Sequence, residues 1–200
     1  MAVIKNENLL PDLVRQAKQL DQDLSTFIAS KNKALLLQRP QADKWSFLDC
    51  IAHLNQTYDL YLPRIEAAIQ QNATRYGTSY RPGLFGNMMT NSMSPKDGRI
   101  KMKTKTFKPF VPQTIGKGQA EIVDTFLAHQ KHFVELMEKA KPLDLGKIKL
   151  NSAIGPILRF KLGDCFRFLS GHNQRHWLQA QNAYARVSEQ DTYLSIQPSS

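Results

Sequence analysis

The stretch Leu162-Gly163-Asp164-Cys165-Phe166-Arg167-Phe168-Leu169-Ser170-Gly171-His172-Asn173-Gln174-Arg175-His176-Trp177 decides how this chain is read. Leu162, Cys165, Leu169, His172 and His176 recur at threes and fours, the period of one helix face, and the stripe continues through Ala180 and Ala183 to Val187. The pattern predicts a helix over Leu162 to Val187. At about 100° per residue, with His176 at zero, Leu169 falls at about 20°, His172 at about −40° and Ala180 at about 40°. Both histidines therefore lie in the middle of the buried stripe, stacked one turn apart. That is how one helix offers two imidazoles to a metal ion. A polar ring buried there needs a partner in any case. Cys165 sits about 10 Å along the helix from His172, too far to share an ion with both histidines.

A third histidine stands in Trp45-Ser46-Phe47-Leu48-Asp49-Cys50-Ile51-Ala52-His53-Leu54. Ser46 reads as an N-cap and Asp49 completes a capping-box pattern, with Trp45 expected to pack back on Cys50 as a hydrophobic staple. The apolar stripe of this helix is Phe47, Cys50, Leu54, Tyr58, Tyr61, Ile65 and Ala68, and Pro63 inside it predicts a kink or a local break. His53 falls about 90° from the centre of that stripe. On the wheel alone it either lines a pocket mouth or faces solvent. Asp49 serves the helix cap first and is also a candidate to orient the His53 imidazole.

Two further helices follow from periodicity. One spans Asn8 to Leu36, with Leu13, Ala17, Leu20, Leu24, Phe27 and Ile28 on one face and Pro11 in an early turn. The other spans Gln119 to Ala140, with Ile122, Phe126, Phe133 and Met137 facing the core, and Pro142 ends it. On this last helix His132 points away from the core face, while His129 lies on the flank as a rival ligand. Between helices two and three, residues 71–118 are punctuated by Gly and Pro and read as a long irregular crossover. Within it, Ile100 to Phe107 alternates with lysines like a short extended segment. A second extended pair is expected around Ile148 and Ile157. The simplest architecture is all-α, a four-helix bundle, forming one domain over residues 1–188 with a polar, poorly ordered tail at 189–200.

Composition limits the function classes. A chain of 200 residues holds one full core, and its 42% hydrophobic content is that of an ordinary globular protein. No apolar run approaches a membrane span, and Met1 to Leu10 does not read as a secretory signal. Cys50 and Cys165 fall inside helices and read as buried free thiols of a reducing compartment, so a cytoplasmic location is expected. Half of the net charge of +10 comes from Lys96, Arg99, Lys101, Lys103, Lys105 and Lys108, against the single acid Asp97. Such a run attracts nucleic acid, acidic lipid or an anionic small molecule, or is simply a solvated loop. The segment carries few stacking aromatics (Phe107 and Phe110), and no nucleic-acid recognition motif accompanies it, so nucleic acid is not the expected partner.

The two histidine blocks resemble those of the DinB/YfiT-like superfamily. Trp45-Ser46 followed by His53-Leu54 is similar to that family's start of helix two, and His172-Asn173-Gln174-Arg175-His176-Trp177-Leu178-Gln179 to its helix-four motif. The resemblance implies an up-down-down-up bundle, a divalent ion held by His53, His172 and His176, and a frequent homodimer. Imidazole ligands suit zinc, nickel, copper and iron alike; zinc or nickel is the expected ion, with manganese or iron behind them. Family members include thiol-dependent S-transferases and metal-dependent hydrolases or isomerases, and the resemblance implies an S-transferase or a hydrolase first. The substrate is a small molecule, with an anionic low-molecular-weight thiol as one candidate. The alternatives are a non-catalytic metal- or ligand-binding bundle and, behind it, a basic nucleic-acid-associated protein.

Overall fold

Asn32 divides what the periodicity reads as one N-terminal helix. In the computed structural model, which describes residues 2–100, 106–114, 116–155 and 158–196, strand β1 (Ile4–Lys5) leads into α1 (Asn6–Ser30), and a short α2 (Lys33–Leu37) follows. The Asn32 side chain accepts from the Ala34 N–H at 3.0 Å, an N-cap that starts a new helix and turns the chain. Helix α3 (Phe47–Gln71) begins on the capping box as expected: the Asp49 N–H donates to Ser46 Oγ, and the Ser46 N–H to Asp49 Oδ2, each at 3.0 Å. Of the kink or local break expected at Pro63, the break does not occur, and α3 runs on through it. Proline forfeits one backbone hydrogen bond, but Tyr61, Leu62 and Ile65 around it are all buried and hold the segment helical.

Strand β2 (Ser79–Tyr80) pairs antiparallel with β1, Ile4 opposite Tyr80. The crossover that reads as irregular then contains a ten-residue helix, α4 (Leu84–Met93), and a 3-10 turn at Lys108–Phe110. Five of the residues of the expected extended segment Ile100 to Phe107, 101–105, lie outside the described residues. Helix α5 (Gln119–Ala140) has the predicted bounds. A hairpin of β3 (Lys149–Asn151) and β4 (Arg159–Lys161) stands where the second extended pair is expected, with Leu150 opposite Phe160, while Ile157 is outside the described residues. Helix α6 (Leu162–Ile196) continues past the predicted end at Val187, because no Gly or Pro interrupts the chain between Ser188 and Ile196. Part of what reads as a tail is helical.

The chain is mostly helical. Helix α3 packs against α5 and α6, α1 lies on the same two, and α4 lies on α6. The α4–α6 contact is close because small residues meet there. A Cβ on Gly86 would overlap the Asp164 side chain, and one on Gly171 would overlap Ser94 Oγ. The Gly83 N–H, at the start of α4, donates to Asp164 Oδ2 at 2.8 Å. No helix among the described residues is long and apolar enough to cross a membrane. Cys50 and Cys165 are free and buried, and burial pushes both thiols well above their ordinary range, which leaves them poor nucleophiles.

One polar network joins the four long helices. The Tyr58 hydroxyl on α3 donates to Gln130 Oε1 on α5 at 2.6 Å, and Asn173 Nδ2 on α6 donates to the Tyr58 oxygen at 2.6 Å and to Gln130 Oε1 at 3.2 Å. Gln130 Nε2 reaches the Ala17 carbonyl of α1 at 3.4 Å. Asn173 is the neighbour of His172, so the network holds the rotation of the helix that carries the histidine pair.

Asp21, also on α1, faces Gln130. Burial pushes its carboxyl up to about 6, against the Gln130 hydrogen bond, which acts downward. A raised carboxyl binds its proton more tightly folded than unfolded, so its contribution to stability falls as pH rises from about 4 to about 6 and stays unfavourable above. Asp21→Asn is expected to stabilise the protein by about 1–2 kcal/mol at neutral pH, a value reduced for the partial exposure of the site. The gain should vanish below about pH 4. Urea unfolding of both proteins across that range checks it, and a gain independent of pH would contradict it.

Candidate metal centre

Two helices bring the three sequence-predicted histidines together. The capping box fixes the start of α3 and so the height of His53, two turns in. Helix α6 supplies His172 and His176 from one face. All three are buried, and a ligand nitrogen of each lies within 4.8 Å of the others. His53 Nε2 and His172 Nε2 are 3.2 Å apart. For metal–nitrogen bonds of about 2.0–2.1 Å, the edge of a tetrahedral site is about 3.3 Å, so this pair already has the spacing of two ligands on one ion. The donor set suits a divalent cation of the imidazole-binding class.

His53 does not face solvent, the outcome that the wheel left open. Residues 47–55 of α3 are buried all round, so the helix has no exposed side there. The cover over His53 is Phe110, from the 3-10 turn in the crossover. His53 Nδ1 is 2.5 Å from the Phe110 carbonyl oxygen. A carbonyl only accepts, so Nδ1 carries the proton and donates, which leaves the Nε2 lone pair directed at the cluster. The Nδ1 atoms of His172 and His176 are buried with no hydrogen-bond partner among the described residues.

Aromatic rings wall the cluster. Trp45, expected against Cys50, lays its ring on His53 (centroids 4.8 Å apart) and His176 (5.8 Å), and Phe168 stacks on His172 at 5.7 Å. The same burial keeps the imidazoles neutral. It pulls His53 down to about 4, with the Phe110 hydrogen bond opposing and the Arg175 charge adding. Burial holds His172 and His176 well below the ordinary range too, helped by the neighbouring histidines and Arg175. Neutral rings keep their lone pairs available for a cation.

Asp49 is taken up by other work. It receives Arg39 Nε at 2.7 Å and Nη2 at 3.2 Å, the Thr114 hydroxyl at 3.0 Å, and the Ser46 N–H of the cap. Burial by itself would raise this carboxyl, but those donors hold it below its usual value. It is thus a tie between the linker before α3 and the crossover after it. The task of orienting His53 falls to the Phe110 carbonyl. His129 pairs with Asp59 at 3.2 Å and His132 faces Glu66 at 3.9 Å, both away from the cluster.

The three histidines line a cavity of about 660 Å³. Its charged or polar lining includes Lys44, Asp43, Arg175 and Gln179, and Lys44 pairs with Asp43 at 2.6 Å. Burial lowers the Arg175 guanidinium from its ordinary value. The methionines of α4 and the phenylalanines of the crossover, which complete the wall, were not singled out as site residues from the sequence. The Met88-Met89 and Met93 spacing is the signal that points to them.

Comparison with known proteins agrees with the family resemblance. The family model of the DinB superfamily matches residues 16–180, most of the chain, and the chain belongs to that superfamily. No match was found among curated proteins or among solved structures.

Proposed function

We propose that this DinB-superfamily chain is a metal-dependent enzyme in which His53, His172 and His176 hold one divalent ion, with zinc or nickel ahead of manganese or iron. The observation that carries this is three buried, neutral imidazoles converging on the wall of a cavity large enough for a small molecule. Three protein ligands leave an ion with positions for a substrate. An ion held there supplies Lewis acidity, enough to make a coordinated thiol or water acidic at neutral pH.

The chain's own residues do the rest. The Phe110 carbonyl holds His53 in one tautomer, and Trp45 and Phe168 fix the rings and keep bulk water from them. Arg175 brings positive charge to the cavity wall beside the Asp43–Lys44 ion pair. That charge suits an anionic low-molecular-weight thiol, so the preferred reaction is S-transfer to an electrophile, with hydrolysis as the second chemistry of the same site. His129, engaged with Asp59, is not available to close the coordination shell, which favours a reactive site over a structural one. The four long helices are read as the up-down-down-up bundle of the family, the buried thiols fit a reducing cytoplasm, and the chain is read as a homodimer.

Protein purified without an affinity tag is expected to carry about one zinc or nickel per chain by elemental analysis. Loaded with either metal, it should turn over a thiol with a halogenated or epoxide electrophile, or an activated ester. Absence of both stoichiometric metal and metal-dependent turnover would overturn the reading.

A further inference from the structure

Helix α4 has two faces with different chemistry. Gly86, Thr90 and Ser94, four residues apart, form the small face that docks on α6. Met88, Met89 and Met93 line the cavity, centred roughly 110° around the helix from the small face. The α4 side of the cavity is thus mainly thioether, with Ser92 among the methionines, and Phe107, Phe110 and Val111 of the crossover add hydrocarbon. Methionine is flexible and polarisable, and accepts apolar partners of varied shape. Met88 and Phe107 line the cavity and are also 59% and 58% exposed, so they form its rim. Apolar side chains held in water at a cavity rim gain burial when a ligand covers them.

We propose that the cavity takes a small molecule with an apolar body seated on the methionine face of α4, its polar reacting group turned to His53, His172 and His176. A volume of about 660 Å³ is that of a metabolite-sized ligand rather than a peptide. The orientation of the polar group rests on the metal reading; the apolar body rests on the α4 and crossover walls alone. For the transfer reaction this makes the electrophile a hydrophobic molecule, while the charged thiol takes the Arg175 side.

The test is calorimetric binding of straight-chain carboxylates of about four to ten carbons to the metal-free full chain. Affinity is expected to rise about fourfold per added methylene, the equivalent of about 0.8 kcal/mol, until the cavity is full. Met93→Gln, which keeps the volume, and Met88→Glu, at an exposed position that leaves folding intact, should each weaken the longer ligands by at least about tenfold. Leu84→Glu, on the same helix and 85% exposed, is not among the cavity residues and should bind as the unaltered protein does. Affinity independent of chain length overturns the proposal, as does a loss in Leu84→Glu equal to that in Met88→Glu, which would put the ligand on the outer surface. Because these titrations need no metal, their failure is distinct from failure of the metal reading: a chain that binds no zinc or nickel yet keeps the methylene slope overturns only the latter.

Discussion

Replacing His176 by alanine is expected to lower affinity for zinc or nickel by at least about 100-fold while leaving the metal-free protein nearly as stable. The two halves of this result have separate causes. In the metal-free chain the three imidazoles are an internal cost. They are neutral, desolvated and crowded, with ring centroids of His53 and His176 4.3 Å apart and the Nδ1 atoms of His172 and His176 without a hydrogen-bond partner among the described residues. Deleting one ring leaves a cavity, which destabilises, but also removes a buried unsatisfied atom, which stabilises, and the two offset to within about 1 kcal/mol. With metal present the balance changes. An ion that binds the folded chain at 1,000 times its dissociation constant adds about 4 kcal/mol of stability, and that increment disappears with the ligand. Chelator competition and thermal melts with and without metal measure both quantities. His129→Ala is the control: its ring is engaged with Asp59, so metal affinity should not move. Equal affinities in the two variants and the unaltered protein would remove the triad.

Much of this centre was legible in the sequence where a single helix carries the information. His172 and His176 share a face because four residues make about one turn, and no partner needs to be known for that. The Ser46–Asp49 cap is equally local, as are the bounds of α5. His53 marks the limit. Its wheel position was ambiguous because the group that buries it, the Phe110 carbonyl, comes from 57 residues away in a crossover with no periodicity of its own. Helix α4 was missed for a related reason. Its docking face is built from Gly86, Thr90 and Ser94, residue types that read as loop composition. Only contact with α6 explains why small side chains are wanted there. Periodicity reports which face of a helix is covered, not what covers it, and in this fold the cover over the histidines is supplied by the least regular part of the chain.

The Tyr58–Gln130–Asn173 network is the same limit at its strongest, since its members are 72 and 43 residues from Gln130. It also carries the second large expected effect. Gln130 is fully buried, and its Oε1 accepts from both Tyr58 and Asn173. Gln130→Leu keeps the bulk but leaves the Tyr58 O–H without an acceptor and an Asn173 N–H with one fewer. Orphaned buried donors cost about 1–3 kcal/mol each, so a loss of about 2–4 kcal/mol is expected, a fall in Tm of about 5–15 °C for a chain of this size. Tyr58→Phe alone should also destabilise, because Gln130 Oε1 loses one of its two donors and Asn173 Nδ2 one of its two acceptors. In the double variant the Tyr58 donor and its acceptor are both gone, and an apolar contact between α3 and α5 takes their place. The double variant should therefore cost less than the sum of the singles by about 1 kcal/mol or more, measured by urea unfolding. Strict additivity would mean that the three side chains are neighbours and not a network. The effect should reach the metal centre as well. Asn173 fixes the rotation of α6 beside His172, so loosening its anchor lets the histidine pair turn relative to His53. Metal affinity in Gln130→Leu should then drop by about tenfold even at temperatures where the protein is fully folded, an effect that a purely stabilising role for Gln130 would not produce.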